Sequence, residues 1–290
     1  MNRRQFIRHA GAFGAAAALG LPSAARAADA APKPMPMIRI GPLDVSRLIL
    51  GSNQYGGWAH RPGEAGKEML AWYTDERILA ELDEAAALGI NCVSIPPSDR
   101  WHRLWKTHKE KGGKMAFWIA QPAVSSDKMP GDIEAAVKNG ARAVYIQGHC
   151  TEKEFEGGTF DVVKGWLELI AKLGAAAGLG AHRPDVHLEA QKRGYLCDFY
   201  FQCMYNVSHG DNFLKEDPAK AVEAIHRLEK PVIAYKILGA SRLTPKEGFE
   251  FALKSIRPKD GVCVGVWGKE GAGQLKEDAE MMKAIGLLPA

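Results

Sequence analysis

Short apolar runs alternate with helix-like patterns along most of the chain. Each run has the length and composition of a buried β-strand, and a stretch with helical spacing of apolar residues follows it. The eight runs occupy residues 48–51, 92–95, 116–120, 143–147, 179–181, 199–204, 232–235 and 262–266. Eight strand–helix units in 290 residues predict an α/β fold, a (β/α)8 TIM barrel. A doubly wound open sheet is the alternative, but no Gly-x-Gly-x-x-Gly fingerprint follows the first strand.

The helical stretches carry recognisable start signals. Residues 75–88 place apolar side chains at helical spacing and follow Thr74, a good N-cap residue. Residues 161–173 repeat this pattern. Thr-Pro-Lys-Glu at 244–247 combines a capping box with a proline at the first helical position. These signals predict helices at all three places.

The first 27 residues have the order of an export signal. The arginine pair Arg3-Arg4 precedes a weakly apolar stretch over 11–21, and Ala-Arg-Ala at 25–27 forms a small-residue cleavage site. Paired arginines in this context are typical of twin-arginine signals. An ordinary secretory signal or an uncleaved anchor is the alternative.

We therefore expect three segments: a twin-arginine signal peptide over 1–27, a short linker over 28–36, and a single barrel domain over 37–290. The mature protein is expected to be periplasmic or secreted, with the twin-arginine export machinery as a partner.

Charge and composition exclude several partner classes. The formal net charge of +4 equals the contribution of four arginines in the first 27 residues, where no acidic residue occurs. The rest of the chain carries no formal net charge, so no nucleic-acid or anionic membrane surface is expected.

A hydrophobic content of 46% and a charged content of 25% exclude wholesale disorder. No run after the signal approaches the roughly 20 apolar residues of a membrane span. The five cysteines form no Cys-x-x-Cys pair, and most are expected to be small buried side chains.

Several segments resemble the aldo/keto reductases. The similar segments are Gly-Pro-Leu-Asp-Val-Ser-Arg-Leu-Ile-Leu-Gly at 41–51, Ala-Leu-Gly-Ile-Asn at 87–91, Gln-Cys-Met-Tyr-Asn at 202–206 and Ile-Ala-Tyr-Lys-Ile-Leu at 233–238. They follow the order found in the family and span nearly the whole mature chain. The resemblance implies a TIM barrel and, in the family, NADP-dependent carbonyl reduction.

The chain departs from the family at the catalytic tetrad. The positions of the family's Asp, Tyr, Lys and His correspond to Ser94, Asp99, Gln121 and Gln147. An ionised carboxylate cannot donate a proton as a phenol does. NADP is a possible cofactor by resemblance, and the glycine-rich loop 268–273 offers a phosphate site before a helix. The resemblance thus implies the fold more strongly than the reductase chemistry, and the cofactor stays unknown.

Polar side chains collect at the predicted carboxyl ends of the strands, where TIM barrels carry their active sites. Amides and hydroxyls there suit a small polar ligand, such as a carbonyl or carbohydrate compound. The candidate catalytic residues are His149, His182, Lys236 and Asp99, and the candidate ligand-binding residues are Asn53, Gln121, Gln147, Gln202, Tyr205 and Asn206. Tryptophans near that end either stack on a sugar ring or pack against loops: Trp58, Trp101, Trp105 and Trp267.

The individual roles leave alternatives. His149 and His182 are acid–base or hydrogen-bonding groups, or metal ligands, although no His-x-His or His-Glu-x-x-His spacing occurs and no metal is expected. Lys236 ends an apolar run and is a Schiff-base nucleophile, a ligand anchor or half of an ion pair. The other histidines fall in loops or helical patterns and are expected at the surface: His102, His108, His187, His209 and His226.

Three functions fit these observations. The first is an exported enzyme acting on a small carbonyl or carbohydrate compound without the reductase tetrad. The second is an oxidoreductase with a tightly held nicotinamide cofactor, and the third is a periplasmic ligand-binding protein without chemistry.

Overall fold

The computed structural model describes residues 33–59, 63–205, 214 and 216–286. The predicted signal peptide over 1–27, most of the predicted linker over 28–36, and the candidate ligand-binding residue Asn206 lie outside these residues.

A β-hairpin opens the described chain. Strands β1 (Met37–Ile40) and β2 (Leu43–Ser46) pair antiparallel, and Gly41 takes the positive φ of 52° that the tight turn requires. Alternate residues of the hairpin, among them Ile38 and Val45, pack into the apolar cluster that fills the barrel. The hairpin therefore covers the amino-terminal end of the barrel.

Eight parallel strands form a closed barrel, which confirms the predicted (β/α)8 architecture and excludes the open-sheet alternative. Neighbouring strands follow chain order, and the last strand pairs with the first, Val262 opposite Leu48. The strands are β3 (Leu48–Leu50), β4 (Cys92–Ile95), β5 (Phe117–Ala120), β6 (Ala143–Ile146), β7 (Ala176–Ala181), β8 (Phe199–Cys203), β9 (Val232–Tyr235) and β10 (Gly261–Val264).

Helices alternate with these strands. A short 3-10 helix, Asn53–Gly56, follows β3. The α-helices of the described residues are α1 (Ala65–Trp72), α2 (Asp75–Ala87), α3 (Asp99–Glu110), α4 (Met129–Lys138), α5 (Gly148–Glu156), α6 (Asp161–Lys172), α7 (Pro184–Lys192), α8 (Asp217–Arg227), α9 (Pro245–Ser255) and α10 (Gln274–Ile285). The predicted N-cap at Thr74 and the capping box at Thr244 are both confirmed, because each hydroxyl accepts a hydrogen bond from a backbone N–H in the first turn.

Large aromatic residues opposite glycines fill the barrel interior. The rings of Tyr145 and Phe201 stack with centroids 3.9 Å apart. A Cβ atom on Gly178 would lie 2.4 Å from the Phe199 ring, so only glycine fits there. The interior is thus a packed core below the carboxyl-terminal mouth.

Two predictions of surface position are wrong. His108 and His187 are buried, with 2% and 0% of their surface exposed.

Trp101 and Trp105 lie in α3 and pack on Trp118 of β5, with ring centroids 5.9 Å and 6.3 Å away, rather than in loops at the barrel mouth. Burying these large rings removes more apolar surface from water than placing them in loops would, and so stabilises the fold.

Candidate functional site

The carboxyl ends of β6 and β7 approach each other unusually closely. A Cβ atom on Gly180 would lie 2.7 Å from the carbonyl oxygen of Ile146, and one on Gly148 would lie 3.1 Å from the Cα of Ala181. These glycines let the first turn of α5 sit against the end of β7. The side of α5 that carries Glu152 therefore faces the residues that follow β7.

Glu152 and His182 form a carboxylate–histidine pair at this contact. One carboxylate oxygen of Glu152 accepts the backbone N–H groups of His182 at 2.5 Å and Arg183 at 2.8 Å. The other lies 3.2 Å from His182 Nδ1. The side chain of Glu152 is 8% exposed and that of His182 is 23% exposed. The carboxylate fixes the ring through Nδ1, so Nε2 is the nitrogen available to a ligand.

Glu152 stays ionised in this setting. Burial raises the pKa of its carboxyl, but the hydrogen bonds and charge of His182 and the backbone N–H of Arg183 outweigh that effect and hold the pKa below its ordinary value. A negative charge therefore remains beside the imidazole when the imidazole takes up a proton. This arrangement suits a histidine that acts as general base and then as general acid.

Tyr235 forms the neighbouring wall of the site. Its ring meets the His182 ring edge-on, with centroids 5.8 Å apart and an interplanar angle of 71°. Its hydroxyl donates to the carbonyl oxygen of Ala181 at 3.3 Å. Burial raises the pKa of Tyr235 well above its ordinary value, so this residue is a neutral phenol that orients its surroundings.

Lys236 follows Tyr235 directly and is half-buried. Its backbone has a φ of 56°, in the left-handed region that favours glycine. The nearby Cys203 thiol is an unsuitable nucleophile, because burial raises its pKa to about 12 against the opposing charge of Lys236. The thiol instead donates a hydrogen bond to the carbonyl oxygen of Tyr205.

Gln147 and His149 lie at the end of β6. The Gln147 side-chain oxygen accepts the backbone N–H of His149 at 2.8 Å and caps α5, which leaves its amide N–H groups for other partners. The side chain of His149 is exposed. These two candidates are therefore joined to each other and lie next in the barrel to the strand that carries His182.

Three further candidates follow the other strands. Asp99 is exposed in the first turn of α3, where its charge complements the helix dipole. Asn53 is exposed at the start of the 3-10 helix after β3. Gln121 is half-buried just after β5. Among the contacts described for these three residues, none joins them directly to His182.

Gln202 and Tyr205 lie deeper than expected from the sequence. Phe201 points into the barrel, so Gln202 lies on the opposite face of β8, where it is fully buried. Its amide nitrogen donates to the carbonyl oxygens of His182 at 2.8 Å and Cys203 at 2.9 Å. Gln202 thus fixes the His182 backbone through a hydrogen bond to its carbonyl oxygen. Tyr205 is also buried, with 7% of its surface exposed.

Sequence reasoning missed Glu152 and the role of Tyr235. One available signal was the glycine at position 148, four residues before Glu152 and hence on the same helix face. A helix that begins with glycine directly after a strand can approach its neighbour closely and bring such an acid to the adjacent strand end.

The described residues give no separate support for a metal or a nicotinamide cofactor. No cluster of three or more His, Cys, Asp or Glu side chains suited to a metal occurs within the described ranges. At the glycine-rich loop before α10, the Lys269 ammonium lies 2.9 Å from Glu68, which neutralises the cation that a 2′-phosphate would need. Lys269 is the single basic residue of the loop 268–273, so the loop offers a 2′-phosphate no cation that is not already paired.

Comparison with known proteins leaves the family open: no family model matches the chain, and no curated protein matches it. No helix in the described part of the chain combines the length and apolar character needed to cross a membrane.

Proposed function

We propose that the chain is an exported enzyme that transfers a proton on a small carbonyl or carbohydrate compound at the carboxyl-terminal face of the barrel. The observation that carries the proposal is the bonding of Glu152 to both the backbone and Nδ1 of His182. His182 is the proposed catalytic residue, and Glu152 is a positioning residue.

The proposed step balances without an oxidant or a reductant. His182 Nε2 removes a proton from the carbon next to a carbonyl group. The electron pair of that C–H bond forms a C=C bond, and the π pair of the C=O bond moves to the oxygen. In a 2-hydroxy carbonyl substrate, the imidazolium then gives the proton to the former carbonyl carbon, while the proton of the neighbouring hydroxyl passes to the oxyanion and a C=O bond forms at that neighbour. The amide N–H groups of Gln121 and Gln147 are the proposed donors to the oxyanion. Such a step isomerises the substrate, and a proton exchanged with solvent before its return replaces the original C–H hydrogen.

Resemblance to the aldo/keto reductases supports this class of substrate, because that family acts on carbonyl compounds. We propose that the chain is a relative that has lost the reductase tetrad. The replaced positions include Asp99 and Gln121. We expect no oxidation of added NADPH in the presence of a broad panel of aldehydes and ketones.

Hydrogen–deuterium exchange tests the proposal without knowledge of the product. The full chain is incubated in D2O with aldoses, ketoses and small oxo acids, and loss of the C–H signal next to the carbonyl is followed by proton NMR. We expect His182→Gln to slow exchange at least 100-fold. We expect Glu152→Gln to slow it about tenfold to 100-fold and to shift its pH profile, which a purely structural role would not do.

His226→Gln is the matched control, because His226 lies at the surface on α8. Absence of exchange with every compound, or equal exchange by wild type and His182→Gln, would refute the proposal. Ligand binding without exchange would instead indicate a binding protein.

A further inference from the structure

The turn after β9 holds a lysine in a conformation that favours glycine. Within the described residues, only Lys236, Ala240 and Ser241 have positive φ without being glycine, and Lys236 is the only charged member. A backbone hydrogen bond of 2.8 Å from Gly239 to the Lys236 carbonyl fixes the turn. Strained residues of this kind concentrate at functional sites, because the surrounding structure must hold them there.

The ammonium of Lys236 has no counter-ion among the described residues. No carboxylate of the described ranges forms a salt bridge with it, although the side chain is half-buried. The nearby acid Glu152 uses both carboxylate oxygens for His182 and Arg183. Among the residues that the structure describes, no acid therefore fills the ion-pair role of Lys236. Its Nζ is also not one of the fully buried polar atoms without a partner, so a ligand can reach it from solvent.

Tyr235 connects this cation to the catalytic pair. It precedes Lys236 in the chain, and its ring contacts the ring of His182. The charge of Lys236 also acts on the Cys203 thiol, which hydrogen-bonds with Tyr235, so the cation lies on the Tyr235 side of the site. Arg183 is a poor second cation for the same ligand, because it pairs with Glu156 at 3.0 Å and with Asp185 at 2.5 Å.

We propose that Lys236 binds the carboxylate of the substrate, so that the substrates are small carbonyl compounds bearing a carboxylate, such as oxo acids or sugar acids. This inference rests on the proposed function for the reacting carbonyl group. A single ammonium matches a carboxylate monoanion better than a phosphate ester, which usually recruits several cations or backbone N–H groups.

Lys236→Gly is the sharpest test, since glycine suits the positive φ and the variant should fold at least as well as wild type. Affinities are measured by ligand-observed NMR for two matched sets of compounds. The first set is glucuronate, glucose and glucose 6-phosphate, and the second is pyruvate and hydroxyacetone. For wild type we expect at least one carboxylate to bind tenfold or more tightly than its neutral partner. We expect Lys236→Gly to reduce that preference to about twofold or less, and Lys236→Arg to keep most of it.

Lys254→Met is the matched control, because Lys254 on α9 pairs with Glu250 at 3.5 Å, and it should keep the full preference. A preference that survives Lys236→Gly, no preference in wild type, or tighter binding of the phosphate ester would overturn the inference. The two proposals fail separately: His182→Gln should lose exchange and keep the carboxylate preference, whereas Lys236→Gly should lose the preference. A Lys236-dependent preference without any exchange would remove only the proposed reaction.

Discussion

Replacing His187 with phenylalanine should make the protein less sensitive to acid. His187 lies in α7, is fully buried and stacks on Tyr200 with ring centroids 5.0 Å apart. Neither ring nitrogen has a hydrogen-bond partner among the described residues. Burial lowers the pKa of His187 to about 3, despite the opposing charges of Glu152 and Asp185.

The sign follows from proton binding. Below a pH of about 6.5 the unfolded chain protonates this histidine, whereas the folded protein does so only near pH 3. The unfolded state therefore binds more protons in this window, and the free energy of unfolding falls as the pH falls. One pKa unit corresponds to about 1.4 kcal/mol, so His187 alone should lower the free energy of unfolding by about 3 kcal/mol between pH 7.5 and pH 4.5.

The assay is denaturant unfolding of wild type and His187→Phe at several pH values between 7.5 and 4.5. At pH 7.5, removing two buried nitrogens that lack hydrogen-bond partners should raise the free energy of unfolding by about 1–3 kcal/mol. Repacking the slightly larger phenylalanine ring should offset about 1 kcal/mol of that increase. The advantage of the variant should then grow by about 3 kcal/mol at pH 4.5. His226→Phe, a surface substitution, should keep the wild-type slope. Equal pH dependence in His187→Phe and wild type would refute the reasoning.

Three further outcomes are expected. Gly180→Ala should lower the free energy of unfolding by about 1–3 kcal/mol in denaturant titrations, because its Cβ would lie 2.7 Å from a carbonyl oxygen; Gly165→Ala, in open space on α6, should be neutral or stabilising. Thr244→Ala should cost about 1 kcal/mol through loss of the capping box, measured by thermal unfolding, and an unchanged midpoint would contradict the assigned cap. Replacing Arg3 and Arg4 by lysine should retain the protein in the cytoplasm, as cell fractionation would show, and normal export would exclude the twin-arginine route.

The sequence was sufficient to predict the barrel, because each strand and helix is encoded locally. The apolar run at 232–235, for example, is β9 without any change of boundary. The prediction at 179–181 missed the start of β7 at Ala176, where alanine and glycine give little strand signal. A local pattern of apolar residues shows whether a segment is a strand or a helix, and eight strand–helix units in sequence specify the barrel.

The candidate site was less accessible to this reasoning, because its central contact joins different elements. Glu152 meets His182 only because glycine at 148 and 180 lets α5 approach β7, and no local period encodes that approach. The burial of His187 was missed for a related reason. Val186 and Ala190 mark the apolar face of α7, and a polar residue between them obscured how far that face extends.

The pairing of β10 with β3 also constrains when the fold can form. The strand that begins at Leu48 closes only against the strand that ends at Val264, close to the carboxyl end of the described chain. Such a long separation makes closure slow, and until it occurs both strands present unpaired edges. A nascent or truncated chain lacking the last strand should therefore aggregate, and a holdase that shields the β3 edge would raise the yield of closed barrels.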